Sequence, residues 1–253
     1  MKNEITNKII KYWTKMYYLY EYLQNIVYEK KSYHQRLNFY SQFIKRGDLC
    51  YDVGANIGNR TDIFLKLGAK VVCIEPQISC FEILKQKYQN NNNVILINKG
   101  LGEKEEELEM YICDESPTIS TLSHKWINEG RFSKGHEWNN TQIVTITTLD
   151  KLITSIGSPN FCKIDAEGYE YNIIKGLNHP IPYISFEFTV EFLSDAKKCV
   201  EQLLSIKHAI FNCSIGESSC LIFSKWVEAK DLFDHLESIK DELLWGDIYI
   251  NYK

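Results

Sequence analysis

The chain has 253 residues, a formal net charge of -4 and 44% hydrophobic residues, enough apolar material for one large core. Because 29 Lys and Arg stand against 33 Asp and Glu, no bulk positive charge attracts nucleic acid, and we expect no general nucleic-acid binding. No apolar run approaches the roughly 18 residues of a spanning helix, and the first residues do not resemble a secretory signal. We therefore expect no membrane span and a cytoplasmic protein.

Residues 5 to about 30 have apolar side chains at three- and four-residue steps, which predicts an amphipathic helix. Six tyrosines make this stretch unusually aromatic. Such a helix packs on the core or on a second copy in a homodimer, and the alternative is a lid or substrate-docking helix. We assign residues 1–46 to an N-terminal helical extension and 47–253 to the main domain.

From residue 49 the pattern changes to short β-branched runs. Residues 49–53, 70–75 and 94–99 predict buried parallel strands, and 59–67 and 78–89 predict helices between them. Strand, helix, strand, helix, strand is the doubly wound α/β pattern.

After the third strand the pattern is less regular. A long polar and aromatic loop separates two strand-like runs at 107–113 and 142–147, and loops of this length are usually functional or disordered. We expect this loop and the tyrosine-rich helix to form the acceptor side of a pocket. The remaining elements are helices over 148–156, 168–177, 192–205 and 227–243, and strands over 160–165, 183–188, 208–212 and 220–224.

The eight cysteines form no CxxC pair and no zinc-type spacing with histidine. Four of them lie in apolar strand-like runs, namely Cys50, Cys73, Cys162 and Cys213. We interpret the cysteines as small buried hydrophobic residues in a reducing compartment.

The sharpest local feature is DVGANIG at residues 52–58, between a strand and a helix. Glycines at such a turn, Gly54 and Gly58, let a ligand approach the amides at the helix N-terminus. Glu75 ends the next strand, where a carboxylate can accept both hydroxyls of a ribose. Dinucleotide folds use GxGxxG, whereas this chain has GxxxG, and Asp52 suits a cationic amino-acid group. The pattern favours S-adenosylmethionine over NAD, and a purely structural turn is the alternative.

Two carboxylates, Asp165 and Glu167, follow the strand predicted at 160–165. The fourth strand of a doubly wound sheet should end beside the first, so both would face the same crevice as Asp52. There they can act as a general base or hold a substrate hydroxyl, and the alternative is capping of the next helix. Glu187 is a third candidate, because an acidic side chain in an apolar strand is costly unless paired.

Asp165, Glu167 and Glu187 could together supply oxygens to a hard divalent cation, but we expect no metal. The histidines show no ligand spacing with another His, Cys or Asp. His124 is the best histidine candidate for the site, because it follows the sequence STL in the loop that should border the pocket.

Several short motifs stand out along the chain, namely DVGANIG, CIEP at 73–76, NKG at 98–100, STL at 120–122, TLD at 148–150, KIDAEGYE at 163–170 and the later FEF. Taken together and in this order, they resemble FkbM-type methyltransferases. The resemblance covers about residues 49–188 and implies a Rossmann-like, seven-stranded sheet with helices on both faces. This chain departs from the family at Tyr169, usually a small residue, and at Ala166, often valine. Neither the sequence before residue 49 nor the long loop aligns.

The resemblance implies an S-adenosylmethionine site with Asp165 close to the transferring methyl group and Gly100 and Leu101 near the adenine. The expected cofactor-binding residues are Asp52, Gly54, Asn56, Gly58, Glu75, Pro76, Gly100, Leu101 and Asp165. The expected substrate-binding residues are Ser120, Thr121, His124 and Tyr169. The expected catalytic residues are Asp165, Glu167 and Glu187, which should matter more to catalysis than to folding.

We therefore expect an S-adenosylmethionine-dependent O-methyltransferase acting on a small molecule, a sugar or a peptide natural product. The alternatives are N-methyl transfer on the same scaffold and a nicotinamide-dependent oxidoreductase with a Rossmann-like fold. An oxidoreductase would need GxGxxG and an acid–base pair such as Tyr/Lys, and neither is identifiable. A non-enzymatic interaction module would have lost the cofactor motifs, which are all present.

Overall fold

The computed structural model describes residues 31–252, so the helix predicted over residues 5–30 lies outside the described residues. Ten strands are found, namely β1 (Leu49–Val53), β2 (Lys70–Ile74), β3 (Val94–Ile97), β4 (Gly100–Leu101), β5 (Glu106–Ile112), β6 (Asn140–Thr147), β7 (Phe161–Ile164), β8 (Tyr183–Thr189), β9 (Ala209–Ile215) and β10 (Trp245–Tyr252). Seven of them form one sheet in the order β3-β2-β1-β7-β8-β10-β9. Its neighbouring strands run parallel except at β10, which is antiparallel to β8 and β9. The predicted α/β fold with a seven-stranded sheet is confirmed.

The helices that connect these strands cover both faces of the sheet. They are α1 (31–40), α2 (Asn59–Lys66), α3 (Ile78–Tyr88), α4 (His124–Glu129), α5 (Leu149–Ile156), α6 (Glu170–Lys175), α7 (Leu193–Ile206) and α8 (Ala229–Ser238). The helices and strands predicted between residues 49 and 212 are present, with ends shifted by a few residues. None of the helices in residues 31–252 is long and apolar enough to cross a bilayer.

Two predictions near the C-terminus were wrong. Residues 220–224 form no strand, and the helix predicted over 227–243 is limited to α8. The last strand, β10, was missed because its apolar run, residues 248–250, is only three residues long between Asp247 and Asn251. Ile248 and Ile250 belong to one core cluster and Tyr249 to the other, so the strand lacks polar and apolar alternation.

The long polar stretch between β5 and β6 is more ordered than a plain loop. It contains a 3-10 turn at Pro117–Ile119 and then α4, whose Trp126 is fully buried. The Trp126 ring packs on Gly168, where an added Cβ would lie 3.0 Å from a ring carbon. A second, three-stranded sheet in the order β4-β6-β5 frames this segment. The segment is therefore docked on the domain.

Part of the predicted N-terminal extension packs into the domain core. Phe43, just after α1, stacks on Tyr249 of β10 with ring centroids 5.1 Å apart. It also stacks on Phe161 of β7, and Phe39 contacts Tyr249 edge-on. The domain boundary after residue 46 stays a prediction. The four cysteines predicted to be buried are buried, and among the eight only Cys220 is exposed.

Candidate active site

The carboxyl ends of the parallel strands meet at one edge of the sheet. Asp52 of β1 lies opposite Lys163 of β7 in the register of the parallel pair, as the predicted strand order required. A cavity of about 490 Å³ opens at this edge and is lined by Asp52, Glu75, Asp165 and Glu187, among others. This volume is within the range of small-molecule sites.

The DVGANIG turn brings the ends of β1 and β7 into close contact. Gly54 has a positive φ of 75°, and an added Cβ would lie 1.8 Å from the carbonyl oxygen of Asp165. Only glycine allows this approach. Gly58, also at positive φ, precedes α2 outside the cavity lining, and its carbonyl accepts a hydrogen bond from the Tyr88 hydroxyl. It shapes the turn and does not line the cavity.

The Glu75 carboxylate is held by the backbone of both neighbouring turns. Its Oε2 accepts the N–H of Asn56 and its Oε1 the N–H of Gln77, each at 2.8 Å. Burial raises the pKa of Glu75 to about 7, although the two N–H donors favour its charge. Each carboxylate oxygen keeps a second lone pair, so the group can still accept two hydroxyls.

Two amide side chains fix the Glu75–Pro76 turn. Asn98 donates to the Glu75 carbonyl at 2.9 Å, and Gln142 of β6 donates to the Pro76 carbonyl at 2.8 Å. Pro76, Gly100 and Leu101 line the cavity beside them. No local pattern pointed to Gln142, because its contact runs from the second sheet to the turn that follows β2 of the first sheet.

Asp52 is buried at the start of the glycine turn. Its Oδ2 accepts a hydrogen bond of 2.6 Å from the Thr61 hydroxyl of α2. Burial raises the pKa of Asp52, while the Thr61 donor and the Lys163 charge favour the ionised form. The side chain is therefore fixed in place at the cavity wall.

A buried lysine controls the charge of the neighbouring carboxylates. Lys163 is 2% exposed, and its Nζ lies 2.8 Å from Asp165 Oδ2 and 3.4 Å from Asp247 Oδ1 of β10. Burial opposes the ammonium charge, but the two carboxylates outweigh it and raise the pKa of Lys163 well above its usual value. Burial also opposes the Asp165 charge, but the Lys163 ammonium lowers the Asp165 pKa below its usual value. Asp165 is therefore ionised and also has a structural contact.

Glu167 and Glu187 lie beside Asp165 and behave in the opposite way. Oxygens of the three carboxylates all lie within 4.8 Å of one another. Burial and then the Asp165 charge raise the pKa of both glutamates well above its usual value. Glu167 has a positive φ of 51°, and its carbonyl accepts the Thr121 hydroxyl at 2.7 Å. The cavity thus combines one ionised carboxylate with two that hold their protons more tightly.

The amides of the turn after β7 are capped by a different residue from those considered in the sequence. Oε1 of Glu170 accepts the N–H of Ala166 at 2.8 Å and that of Gly168 at 3.3 Å. In the described part of the chain, the Asp165 carboxylate hydrogen-bonds to Lys163, and that of Glu167 has no backbone donor. The capping alternative for Asp165 and Glu167 is therefore wrong, and Glu170 performs this role.

The segment between β5 and β6 forms the opposite wall of the cavity. Three of the expected substrate-binding residues line the cavity, namely Ser120, Thr121 and Tyr169. The Ser120 hydroxyl accepts from the Cys113 N–H at 3.1 Å, so it is already engaged in the fold. His124 lies outside the lining, and its Nε2 is 3.0 Å from the Tyr111 hydroxyl. The structure thus places His124 against β5 and not at the cavity.

The sequence model of the methyltransferase FkbM domain matches residues 52–205, which is more than half of the chain. The chain belongs to this family. The family is one of S-adenosylmethionine-dependent methyltransferases, as the motifs indicated. The family match spans the strands and turns that build the cavity, from Asp52 to the end of α7.

This methyltransferase is 28% identical over 163 residues to the hexuronic acid methyltransferase AglP of Haloferax volcanii, a match that covers 62% of each chain. The match thus spans less than two thirds of that relative. Among solved structures it resembles a precorrin-6y C5,15-methyltransferase from Geobacter metallireducens, with 10% identity, a TM-score of 0.46 and 87% of each chain covered. It also resembles fibrillarin from Aeropyrum pernix bound to S-adenosyl-L-methionine, with 9% identity, a TM-score of 0.42, and 82% of this chain and 68% of that chain covered.

The cavity of the methyltransferase fits its cofactor chemically. Glu75 has free lone pairs for the two ribose hydroxyls, and Leu101 and Pro76 offer apolar surface for the adenine. Asp52 and Asp165 supply negative charge for the ammonium and sulfonium groups. These residues would hold S-adenosylmethionine.

The group that could ligate a metal in residues 31–252 of the methyltransferase is Asp165, Glu167 and Glu187. The Lys163 ammonium already lies 2.8 Å from Asp165 and would repel a further cation there. The raised pKa values of the two glutamates further reduce the negative charge of the cluster. The expectation that the enzyme uses no metal stays a prediction.

Lys163 and Asp247 are site residues that the sequence analysis did not select. Lys163 is a charged residue inside the apolar strand FCKI, so the argument applied to Glu187 would have identified it. Asp247 was missed together with its strand, β10.

Proposed function

We propose that this methyltransferase transfers a methyl group to a hydroxyl oxygen of a small acceptor, and that the acceptor is a sugar. The observation that carries the proposal is the convergence of Asp165, Glu167 and Glu187 in one cavity. Carboxylates are suited to accept hydrogen bonds from sugar hydroxyls. The relative AglP, named for hexuronic acid, supports a sugar as the acceptor.

The two kinds of carboxylate suit two tasks. S-adenosylmethionine, when bound, supplies an electrophilic methyl group on a positively charged sulfur. Asp165, ionised beside Lys163, stabilises positive charge in the cavity. Glu167 and Glu187 have raised pKa values, so each is a stronger base when ionised and can take the proton of an acceptor hydroxyl.

The acceptor would lie between this carboxylate cluster and the wall formed by the segment after β5. Ile119, Trp126 and Phe132 give that wall apolar and aromatic surface. Such flat surface packs against the apolar faces of a ring, while the carboxylates bind its hydroxyls. The enzyme's main contribution would be alignment of the acceptor oxygen with the methyl group.

A second candidate acceptor atom is a carboxylate oxygen, which the name of the relative AglP favours. A carboxylate is already ionised at neutral pH, so no base is needed. In that case Glu167 and Glu187 would only position the acceptor.

The experiment is product analysis with S-adenosylmethionine carrying an isotope-labelled methyl group. Small-molecule extracts are incubated with the enzyme and labelled products are examined by NMR and mass spectrometry. We expect a methyl ether that survives mild alkali. A label released by alkali would identify a methyl ester and the second candidate, whereas a label on nitrogen would overturn O-methyl transfer.

A further inference from the structure

A pair of arginines lines the same cavity and has no role in the site described so far. Arg36 of α1, Arg60 of α2 and Glu217, in the turn after β9, all contribute to the lining. Nη2 of Arg60 lies 2.6 Å and 2.7 Å from the two Glu217 oxygens. Nη1 of Arg36 lies 4.0 Å from Glu217 Oε2. Two guanidinium groups therefore face one carboxylate.

The hydrogen-bonding capacity of these arginines is largely unused. Within residues 31–252, Nη2 of Arg60 is the one guanidinium nitrogen of the pair that donates a hydrogen bond, and both Nε atoms are buried without a partner. Arg131, which lines the same cavity, differs. Its nitrogens donate to both Glu191 oxygens and to the carbonyls of Leu243 and Leu244. Arg131 holds the fold together, whereas Arg36 and Arg60 can accept a further anion.

The counter-ion of the pair is the most exposed of the three side chains. The side chains of Arg36 and Arg60 are 22% and 18% exposed, and that of Glu217 is 51% exposed. Glu217 is carried on a surface turn, and it follows Gly216, which has a positive φ of 51°. An exposed carboxylate on a turn loses little interaction free energy when a ligand carboxylate replaces it beside the arginines. The two arginines are less exposed than Glu217, so their charges depend more on a partner.

We propose that Arg36 and Arg60 form a carboxylate-binding subsite whose ligand takes the place of Glu217. A planar guanidinium binds a carboxylate through paired hydrogen bonds, which gives strength and orientation. The proposal extends the site by two residues that belong to none of the family motifs.

The charges nearby favour the amino-acid tail of the cofactor as the ligand. That tail carries an ammonium and a carboxylate. Asp52 and Asp165 provide for the cationic end, and Arg60 is close enough that its charge favours ionisation of both. A cation beside these two acids is what the carboxylate end of the tail requires. An acid group on the acceptor is the other source, and that source rests on the proposed function.

Calorimetric titration separates these sources. S-adenosylhomocysteine has the amino-acid tail, and 5′-methylthioadenosine has the same nucleoside without it. We expect Arg60→Gln to weaken S-adenosylhomocysteine binding about tenfold or more and to leave 5′-methylthioadenosine binding unchanged. Glu217→Gln removes the competing carboxylate and should tighten S-adenosylhomocysteine binding. Lys66→Gln, which removes an exposed cation from the same helix outside the cavity lining, is the matched control and should change neither.

A second titration examines the acceptor. D-glucuronate and D-glucose are added to enzyme saturated with S-adenosylhomocysteine. If Arg60→Gln leaves S-adenosylhomocysteine binding intact but weakens glucuronate binding, the subsite takes an acceptor acid. If the variant binds S-adenosylhomocysteine as the wild type does and glucuronate binding is unchanged or undetectable, the proposal is overturned.

If Arg60→Gln does not fold, the same titrations are made with Arg36→Gln and Glu217→Gln. If the ion pair is purely structural, both variants should have lower melting temperatures and unchanged ligand affinity. That result would also overturn the proposal. Because these readouts are binding constants, they are independent of which acceptor atom is methylated. Failure of O-methyl transfer would appear only in the product analysis.

Discussion

At the scale of single residues, the position of one ammonium decides how three carboxylates behave. Lys163 contacts Asp165 directly and lowers its pKa, whereas Glu167 and Glu187 feel the negative charge of Asp165 and have raised pKa values. The same chemical group is therefore a fixed negative charge at one position and holds its proton more tightly at two others.

Replacing these carboxylates should separate catalysis from stability. Glu167→Gln should cut turnover by roughly 10²-fold and leave the melting temperature nearly unchanged, because its carboxylate serves no helix cap. Asp165→Asn should cut turnover and also lower the melting temperature, because Lys163 then keeps only Asp247 as a partner. Paired melting curves and single-turnover rates test this, with the exposed Glu82→Gln as the control. Early melting with normal turnover in both variants would make these carboxylates structural.

The raised pKa of Glu75 leads to a prediction about how the stability of the fold depends on pH. Its pKa rises from 4.5 to about 7 on folding, so the folded chain binds this proton more tightly than the unfolded chain. The stability that this proton contributes is present below about pH 4.5 and is lost as the pH rises through about 7. The melting temperature of Glu75→Gln should therefore rise relative to that of the wild type between about pH 5 and pH 8. A difference that does not vary with pH would contradict the raised pKa.

The same variant should bind cofactor poorly. Loss of the Glu75 charge weakens its hydrogen bonds to the ribose hydroxyls, so S-adenosylhomocysteine should bind Glu75→Gln about tenfold more weakly or worse. Calorimetric titration at neutral pH gives the ratio. Equal affinity would remove Glu75 from the cofactor site.

Metal removal tests the carboxylate cluster as a whole. Because Lys163 already provides the positive charge near Asp165, we expect the enzyme to keep full activity after dialysis against a chelator. A loss of activity restored by magnesium or manganese would show that the three carboxylates ligate a cation.

The sequence predicted the residues of the site better than their partners. Asp52, Glu75, Asp165 and Glu187 all line the cavity, because a residue at the end of a parallel strand reaches one edge of the sheet. His124 follows a motif that lines the cavity, but α4 turns it toward β5. Such contacts depend on tertiary packing, which no local pattern encodes.

At the scale of elements, the segment between β5 and β6 is attached to the domain at several points. Arg131 pairs with Glu191 through two hydrogen bonds, and Lys125 of α4 pairs with Asp195 of α7. The buried Trp126 adds apolar contact. The segment is therefore a wall whose middle is docked on the domain, and it does not have the free middle of a hinged flap.

The attachment can be measured by limited proteolysis. Arg131→Gln removes the contacts to Glu191, Leu243 and Leu244 and should increase the cleavage rate of this segment several-fold in the absence of ligands. Cofactor together with acceptor should slow cleavage in the wild type. Lys134→Gln, an exposed change in the same segment, is the control. Equal cleavage of all three proteins would contradict the docked wall.

Helices with one apolar face and strands with a continuous apolar run were predicted well, and the last strand was not. Helices α2, α3 and α7 show apolar residues at helical spacing, and their bounds match the predictions closely. The strand β10 resembles any short apolar run, and the helix before it was extended through the turn. The pairing partner that makes it a strand, β8, ends more than fifty residues earlier in the chain.

At the scale of the whole molecule, the sheet assembles the site from distant parts of the chain. The order β3-β2-β1-β7-β8-β10-β9 places Glu75, Asp52, Asp165 and Glu187 along one edge, and it brings Asp247 back from the end of the chain to meet Lys163. The family motifs span only the middle of this arrangement. Residues outside them, on α1, β10 and the turn after β9, complete the cavity.

We propose that Glu167 and Glu187 act as the base for an acceptor hydroxyl. The direct measurement is the single-turnover rate of methyl transfer against pH, with cofactor and the acceptor found by product analysis both saturating. We expect a rate that rises with pH on a group whose pKa lies well above the ordinary 4.5 of a glutamate, and a rise that disappears in Glu167→Gln or Glu187→Gln. A rate that is independent of pH and unchanged in both variants would contradict it.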